Sequence, residues 1–213
     1  MNREEYTKWW TDKAPVYFTD KIWKFSMPSL ISKLNIKKDT RVLEIGFGYG
    51  RELSQFCLLS DYVYGIELTA WACTNTLLEL KERKINSLPI LSDYDGYNIP
   101  FKDLLFDVIY SCFVIQHLSR DHAKELIKNS LQSLNNNGVI LFEFFGDFQY
   151  FNNGHDVFSG IDGQGGMFNN AYIKTELALI IKDCSGEVEW IQEALITKTW
   201  NNYWVCFKRV NDS

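Results

Sequence analysis

One short stretch, residues 42–50, constrains the fold of this chain more than any other. It reads Val-Leu-Glu-Ile-Gly-Phe-Gly-Tyr-Gly, so an apolar run carries an acid near its end and is followed by three glycines at alternate positions. The pattern predicts a buried strand that enters a turn too tight for side chains, with a helix beginning near Arg51. Such a turn lets a ligand approach main-chain atoms, and the helix N-terminus adds oriented N–H groups. Taken alone, the stretch also fits a glycine-rich loop without a ligand.

Strands and helices alternate along the rest of the chain. Helices are predicted over residues 51–59 and 172–182, and two more follow the capping residues Thr69 and Ser119. The helix after Thr69 has its apolar positions at Ala70, Cys73, Leu77 and Leu80. Seven strands are predicted at residues 41–45, 62–67, 88–92, 106–113, 139–145, 188–199 and 203–210. The alternation predicts the α/β class, with a doubly wound, mostly parallel seven-stranded sheet and helices on both faces.

Two asparagine-rich junctions give further expectations. Residues 135–138 read Asn-Asn-Asn-Gly and are predicted to stop the helix that Ser119 begins, because Asn and Gly tolerate a left-handed cap. Asn201 and Asn202 are predicted to join the last two strands as a closing antiparallel hairpin.

The length of 213 residues suits one domain over residues 1–213. A long stretch rich in Gly, Asn and aromatic residues interrupts the alternation, and loops of that length in a compact domain are usually functional. The predicted parts are a helical N-terminal cap (1–38), a ligand-binding core (39–145), a substrate loop (146–171) and a C-terminal helix with the hairpin (172–213).

Charge and cysteine usage exclude several classes of function. The net charge is −5 and no run of Lys or Arg occurs, which argues against a nucleic-acid partner. No apolar run is long enough to cross a bilayer. The five cysteines are scattered without a Cys-x-x-Cys pair, which indicates free thiols in a reducing compartment and predicts a cytoplasmic protein. His117 and His122 do not share a helix face, so no metal site is predicted.

The residues with the strongest functional patterns are all predicted at one edge of the sheet. Ligands of open α/β sheets bind beyond the carboxyl ends of the strands, where the glycine turn, Glu67, Asp93, Asp95 and residues 111–116 are expected. An acid that closes the second strand can accept hydrogen bonds from both hydroxyls of a ribose. Asp93 and Asp95 are also common turn residues, and the choice between them as ligand contacts stays open.

This combination resembles the class I S-adenosylmethionine-dependent methyltransferases over roughly residues 40–145. Residues 44–50 match the family's acid-x-Gly-x-Gly-x-Gly motif, and Glu67 stands where its ribose-binding acid ends the second strand. Residues 95–101 are similar to its adenine-binding loop, and residues 106–118 resemble its fourth strand and the following segment. Residues 134–141 are similar to the entry of its fifth strand, with Asn-Asn-Gly where the family has Pro-Gly-Gly.

The resemblance implies S-adenosylmethionine as the cofactor and S-adenosylhomocysteine as the product. It implies transfer of a methyl group to an oxygen or nitrogen atom of a small-molecule substrate by in-line displacement. The implied cofactor-binding residues are Glu44, Gly46, Gly48, Gly50, Glu67, Leu68, Asp95, Gly96, Ser111 and Phe113.

Two alternative functions stay open. A nicotinamide-dependent oxidoreductase also uses a glycine turn and an acid, but its fingerprint is Gly-x-Gly-x-x-Gly, and Arg51 occupies the third glycine position here. An acid such as Glu44 suits a cationic cofactor better than a pyrophosphate. The second alternative is a catalytically silent cofactor-binding or regulatory protein of the same fold.

Candidate catalytic and substrate residues come from the segments outside the core motifs. His117 follows the fourth strand, and His155 stands beside Asp156, so both are candidate general bases. The chain has no Asn/Asp-Pro-Pro-Tyr/Phe stretch after the fourth strand, which argues against methylation of nucleobase amines. The aromatic residues expected to shape a substrate pocket are Trp10, Tyr17, Tyr150, Phe151 and Phe158.

Overall fold

The computed structural model of the protein describes Lys8 and residues 28–146, 171–197 and 200–210. Most of the predicted N-terminal cap and nearly all of the predicted substrate loop lie outside these ranges. The chain divides into two compact units, Met1–Val108 and Ile109–Ser213, and the boundary falls within a strand. The domain limits that the sequence predicts stay a prediction.

Seven strands form one sheet in the order β3-β2-β1-β4-β5-β7-β6. The strands are β1 Arg41–Ile45, β2 Tyr62–Glu67, β3 Ile90–Asp93, β4 Phe106–Ser111, β5 Leu134–Phe145, β6 Gly186–Thr197 and β7 Trp200–Arg209. The helices are α1 Pro28–Ile31, α2 Arg51–Leu59, α3 Ala70–Glu82, α4 Arg120–Gln132 and α5 Lys174–Asp183. β1 pairs in parallel with β2 and β2 with β3, whereas β7 pairs antiparallel with both β5 and β6. The predicted fold class is confirmed.

The first unit is built around β1, which is buried along almost its whole length. Val42, Leu43 and Ile45 are fully buried, and burial of each such side chain stabilises the fold by about 1.5–3 kcal/mol. Glu44 differs from these neighbours in its chemistry, because it is an acid that is buried among apolar side chains. The Thr69 side chain accepts a hydrogen bond from the Ala72 N–H at 3.2 Å, so the predicted cap of α3 is confirmed.

The second unit packs aromatic side chains across its strands. The ring of Tyr110 on β4 stacks on Trp204 of β7, with ring centroids 5.6 Å apart. On β5, Phe142 meets Phe207 of β7 edge to face at 5.6 Å. The predicted cap of α4 is confirmed, since the Ser119 hydroxyl accepts from the His122 N–H at 3.2 Å.

A junction within the second unit joins the two ends of the segment between β5 and α5. Gly146 and Tyr172 form a parallel bridge, and the Tyr172 N–H donates to the Phe145 carbonyl at 2.8 Å. Arg120 donates to the Ala171 carbonyl at 3.0 Å, and its guanidinium lies 4.7 Å from the centroid of the Tyr172 ring. Gly146 and Tyr172 therefore lie next to each other within the second unit.

Both asparagine-rich junctions differ from the sequence predictions. Helix α4 ends at Gln132, and residues 135–138 lie inside β5, where Arg209 donates to Asn136 Oδ1 at 3.0 Å. Asn202 lies inside β7, in register with Phe145, rather than in the hairpin connection. In both places strand pairing outweighs the turn preference of Asn and Gly.

Several other predicted strand limits also shift. β6 covers Gly186–Thr197 and β7 covers Trp200–Arg209, where residues 188–199 and 203–210 were predicted. β3 begins at Ile90 and not at residue 88, and β4 ends at Ser111 and not at residue 113. β4 ends early because Phe113 takes a left-handed conformation with φ of 57°, which is incompatible with a strand.

Candidate functional site

The glycine turn after β1 has the geometry that the sequence predicts. Gly46, Gly48 and Gly50 have φ values of 71°, 53° and 74°, a region that residues with a Cβ rarely adopt. The Gly46 N–H donates to the Ile66 carbonyl at 2.8 Å, and the Gly50 N–H donates to the Phe47 carbonyl at 2.7 Å. Helix α2 begins directly after Gly50.

Side chains from two other elements hold both main-chain polar groups of Gly48. Its N–H donates to Glu67 Oε2 at 3.1 Å, and its carbonyl accepts from the Thr76 hydroxyl at 2.9 Å. Thr76 is fully buried on α3. The turn is therefore fixed by the end of β2 and by α3.

Sequence reasoning missed Thr76. It expected the apolar face of α3 at Ala70, Cys73, Leu77 and Leu80, whereas the buried positions are Ala72, Thr76 and Leu80. The buried positions are spaced four residues apart, as on one face of a helix, and this spacing could have identified Thr76. It was overlooked because threonine is a polar residue.

Glu67 ends β2 with its carboxylate fixed by two main-chain donors. The Leu68 N–H donates to Oε1 at 2.7 Å, and the Gly48 N–H donates to Oε2. Burial raises the pKa of Glu67, and the hydrogen bonds from Leu68 and Gly48 oppose that rise. Each carboxylate oxygen keeps a second acceptor site, so the group can accept hydrogen bonds from two ligand hydroxyls.

Glu44 brings a buried acid to the same unit. Its side chain is 2% exposed, and among the described residues Oε2 has no hydrogen-bond partner. Burial raises the pKa of Glu44 well above its usual value, Glu52 and Glu67 raise it further, and Arg51 lowers it. Arg51 itself forms an ion pair with Glu52. Glu44 thus experiences two acidic neighbours and one basic neighbour, a balance that favours a cationic ligand.

Protonation of Glu44 should make the stability of the fold depend on pH. The pKa of Glu44 lies above 4.5 in the folded protein, so the folded state binds this proton more tightly than the unfolded chain does. The resulting stabilisation is complete below pH 4.5 and is lost as the pH rises through the raised pKa. At neutral pH we expect Glu44→Gln to raise the free energy of unfolding by about 1–3 kcal/mol, because a neutral amide replaces a buried charge.

Urea unfolding at a series of pH values measures this effect. The difference between wild type and Glu44→Gln should shrink as the pH falls. Glu82→Gln, on an exposed position of α3, is the control and should leave the free energy of unfolding within about 0.5 kcal/mol of the wild type. A constant difference for Glu44→Gln would contradict the expectation.

Asp95 organises its own loop. Oδ1 accepts from the N–H groups of Tyr97 at 3.1 Å and Asn98 at 2.7 Å, and Oδ2 accepts from the Asn98 side-chain amide at 2.6 Å. Gly96 has φ of 101°, and a Cβ there would lie 3.6 Å from Leu68 Cδ2. The structure thus brings Gly96 and Leu68 side by side. The contact of Asp95 with an adenine stays a prediction, with Asp93 as the alternative.

The remaining predicted residues fall into two groups. Ser111, Phe113 and His117 belong to the second unit, where Ser111 ends β4 and His117 ends a short 3-10 helix, Ile115–His117. Their roles in binding or catalysis stay predictions. The residues that lie outside the described part of the chain are Trp10, Tyr17, Tyr150, Phe151, His155 and Phe158.

The described part of the chain shows neither a metal-ligand cluster nor a membrane-spanning helix. Within residues 28–146, 171–197 and 200–210, no three His, Cys, Asp or Glu side chains converge as metal ligands would. None of the helices in those ranges combines the length and the apolar character needed to cross a bilayer. All five cysteines are free thiols.

Comparison with known proteins agrees with this geometry. Residues 43–142 match the family model of a methyltransferase domain. An uncharacterised protein of Methanocaldococcus jannaschii is 28% identical over 163 residues, which cover 70% of this chain and 68% of that protein. An uncharacterised methyltransferase of Oceanobacillus iheyensis is 26% identical over 53% of this chain, and the match spans half of its own length.

A solved structure shares the fold over nearly the whole chain. The magnesium protoporphyrin IX methyltransferase of Synechocystis, crystallised with bound S-adenosylhomocysteine, superposes with a TM-score of 0.74. The match covers 98% of this chain and all of that protein, at 11% identity. At this identity the likeness establishes the fold alone.

Proposed function

We propose, from the premise that this chain carries a class I methyltransferase domain in residues 43–142, that it binds S-adenosylmethionine and methylates a small molecule. The acceptor atom in this proposal is an oxygen or a nitrogen. S-adenosylhomocysteine is then the second product.

The geometry of Glu67 carries the proposal. A carboxylate with each oxygen fixed by one main-chain N–H cannot rotate freely, so its remaining acceptor sites have set directions. Two vicinal hydroxyls, as on a ribose, match such a pair of acceptors. The glycine turn lies next to this carboxylate, because the Gly48 N–H is one of its donors. A nucleoside placed at Glu67 therefore has main-chain atoms of the turn within reach.

Glu44 supports a cationic cofactor over a dinucleotide. Its buried Oε2 has no hydrogen-bond partner in the described part of the chain, so an ammonium group would supply the missing donor. A pyrophosphate would instead meet the acidic side chains of Glu44, Glu52 and Glu67, to which Arg51 is the opposing charge among the described residues. The residues present therefore fit S-adenosylmethionine, whose amino-acid tail and sulfonium are both positive.

The protein's part in the reaction is binding and alignment. When bound, S-adenosylmethionine supplies an electrophilic methyl group on a sulfonium ion. Glu67 orients the ribose, Glu44 receives the ammonium group, and the glycine turn allows close approach of the ligand to the backbone. A general base is needed only when the acceptor carries a proton at neutral pH, and His117 and His155 are the candidates for that role.

The small-molecule acceptor rests on charge and on the predicted aromatic residues. A net charge of −5 without a basic run disfavours nucleic acid as the substrate. The free thiols support a reducing compartment, and we place the protein in the cytoplasm.

Calorimetric titration with S-adenosylmethionine, S-adenosylhomocysteine and NADH tests the proposal. We expect both sulfur compounds to bind and NADH to give no binding heat. Failure of both sulfur compounds would overturn the cofactor assignment, and binding of NADH would favour the oxidoreductase. Binding of S-adenosylmethionine without methyl transfer to any member of a broad metabolite panel would favour the catalytically silent protein.

A further inference from the structure

A buried acid outside the recognised cofactor motifs holds the turn that follows β4. We infer that Glu143 of β5 is a positioning residue for cofactor binding. Its carboxylate accepts hydrogen bonds from residues 112 and 113 and so holds the turn that they form. This inference rests on the proposed function, since the resemblance is what assigns Ser111 and Phe113 to the cofactor site.

Phe113, Cys112 and Asn202 all donate to the Glu143 carboxylate. Oε2 accepts from the Phe113 N–H at 2.8 Å and from the Cys112 thiol at 3.3 Å, and Oε1 accepts from the Asn202 side-chain amide. Glu143 is 1% exposed. A buried carboxylate needs such donors, because water cannot solvate it. Two of the three donors come from the turn itself, so the carboxylate and the turn fix each other.

The turn adopts a conformation that needs external support. Phe113 has φ of 57°, in the left-handed region, where its Cβ crowds the following carbonyl. Residues held in this region persist where the surroundings over-determine them, and they cluster at ligand sites. The hydrogen bond from the Phe113 N–H to the Glu143 carboxyl oxygen has the ordinary length for an N–H donor, and it holds the residue in this conformation. Glu143 therefore stabilises the very residue whose backbone is least favourable.

Asn202 orients the carboxylate from the neighbouring strand. It is fully buried on β7, and its amide oxygen has no hydrogen-bond partner among the described residues. The side-chain amide is thus engaged through its NH₂ group, which faces Glu143 Oε1. A flipped amide would place two oxygens against each other, so this orientation is the only favourable one. β7 thereby fixes Glu143, and Glu143 fixes the turn.

Two substitutions at Glu143 separate positioning from packing. Glu143→Leu fills the space but leaves the Phe113 N–H without an acceptor. Glu143→Gln keeps an acceptor for that N–H, and its own amide can donate to Asn202 after the Asn202 amide turns over. Leu126→Ala is the control, because Leu126 is fully buried on α4 and its truncation lowers stability while it keeps the Glu143 carboxyl group and its three donors.

Amide hydrogen exchange over residues 111–116 and calorimetric Kd for S-adenosylmethionine are the two measurements. We expect Glu143→Leu to exchange at least about tenfold faster over the turn and to weaken binding by at least about tenfold. Glu143→Gln should stay within about threefold of wild type in both measurements, and Leu126→Ala should leave binding within about twofold. Rescue by glutamine is the result that a purely structural acid would not give.

Several outcomes would overturn the inference. Unchanged exchange in Glu143→Leu would show that the carboxylate does not hold the turn. Faster exchange with unchanged affinity would show that the turn does not serve the cofactor. Absence of binding by the wild type would instead remove the proposed function, and the exchange data would still report on the turn.

One measurement needs no variant to fold. Addition of S-adenosylhomocysteine to the wild type should slow exchange over residues 111–116. A wild type that binds this compound with no change in exchange over those residues would contradict the inference, even if Glu143→Leu proves insoluble.

Discussion

We expect the Gly50→Ala variant to lose about 2–4 kcal/mol of unfolding free energy. A Cβ at Gly50 would lie 2.5 Å from Thr76 Cγ2, and the residue has φ of 74°. The left-handed backbone accounts for about 1–2 kcal/mol of that loss, and overpacking against Thr76 accounts for the remainder. Because Thr76 also donates to Gly48, its displacement should weaken S-adenosylmethionine binding as well. Urea unfolding and calorimetric titration measure the two effects.

Thr76→Ser provides the matched control. Serine keeps the hydroxyl that donates to the Gly48 carbonyl and removes the methyl group that meets the new Cβ. In the Thr76→Ser background, Gly50→Ala should therefore cost only the backbone part, about 1–2 kcal/mol. An equal loss in both backgrounds would show that the methyl contact is not the source.

Removal of the Glu67 carboxylate should produce the largest effect on cofactor affinity. Glu67→Ala is expected to weaken S-adenosylmethionine binding by about 1.5–3 kcal/mol, the usual worth of hydrogen bonds to a charged group. The variant also leaves the N–H groups of Gly48 and Leu68 without their acceptor, so the turn loses one of its supports. Calorimetric titration gives the affinity, and thermal unfolding of the same samples gives the loss of stability.

Two further variants isolate the contribution of Glu67. Glu67→Gln keeps one acceptor oxygen and should lose less affinity than Glu67→Ala. Glu82→Ala removes an exposed acid from α3 and should bind like the wild type. Unchanged affinity in Glu67→Ala would show that this carboxylate does not hold the ribose.

The sequence predicted those parts of the site that are local in the chain. The buried strand, the three glycines and the helix that follows occupy Arg41–Leu59 without a break, so their pattern is visible in one short window. Glu67 could be predicted as readily, because it ends a strand and its hydrogen bond from Leu68 involves the next residue in the chain. Caps at Thr69 and Ser119 follow from hydrogen bonds only three residues long.

The contacts that escaped prediction join residues far apart in the chain. Thr76 meets Gly48 from 28 residues away, Phe113 meets Glu143 over 30 residues, and Asn202 meets Glu143 over 59 residues. Neither periodicity nor turn propensity carries information over such separations. The same reason explains Asn135–Gly138, where local preference indicated a helix stop and partners elsewhere in the sheet imposed a strand.

The junction of Gly146 with Tyr172 has a consequence for how proteins of this design diversify. The two ends of the intervening segment meet through a main-chain hydrogen bond, and Arg120 holds the second end by donating to the Ala171 carbonyl, all within described residues. A flexible segment of any length inserted here has to join two chain ends that lie next to each other. Doubling the length of such a segment raises the free energy of closing the loop by only about 0.6 kcal/mol. The insert can therefore be exchanged, lengthened or shortened as a cassette while β5 and α5 keep their places. Acceptor preference, if the insert supplies it, can then change without remaking the fold.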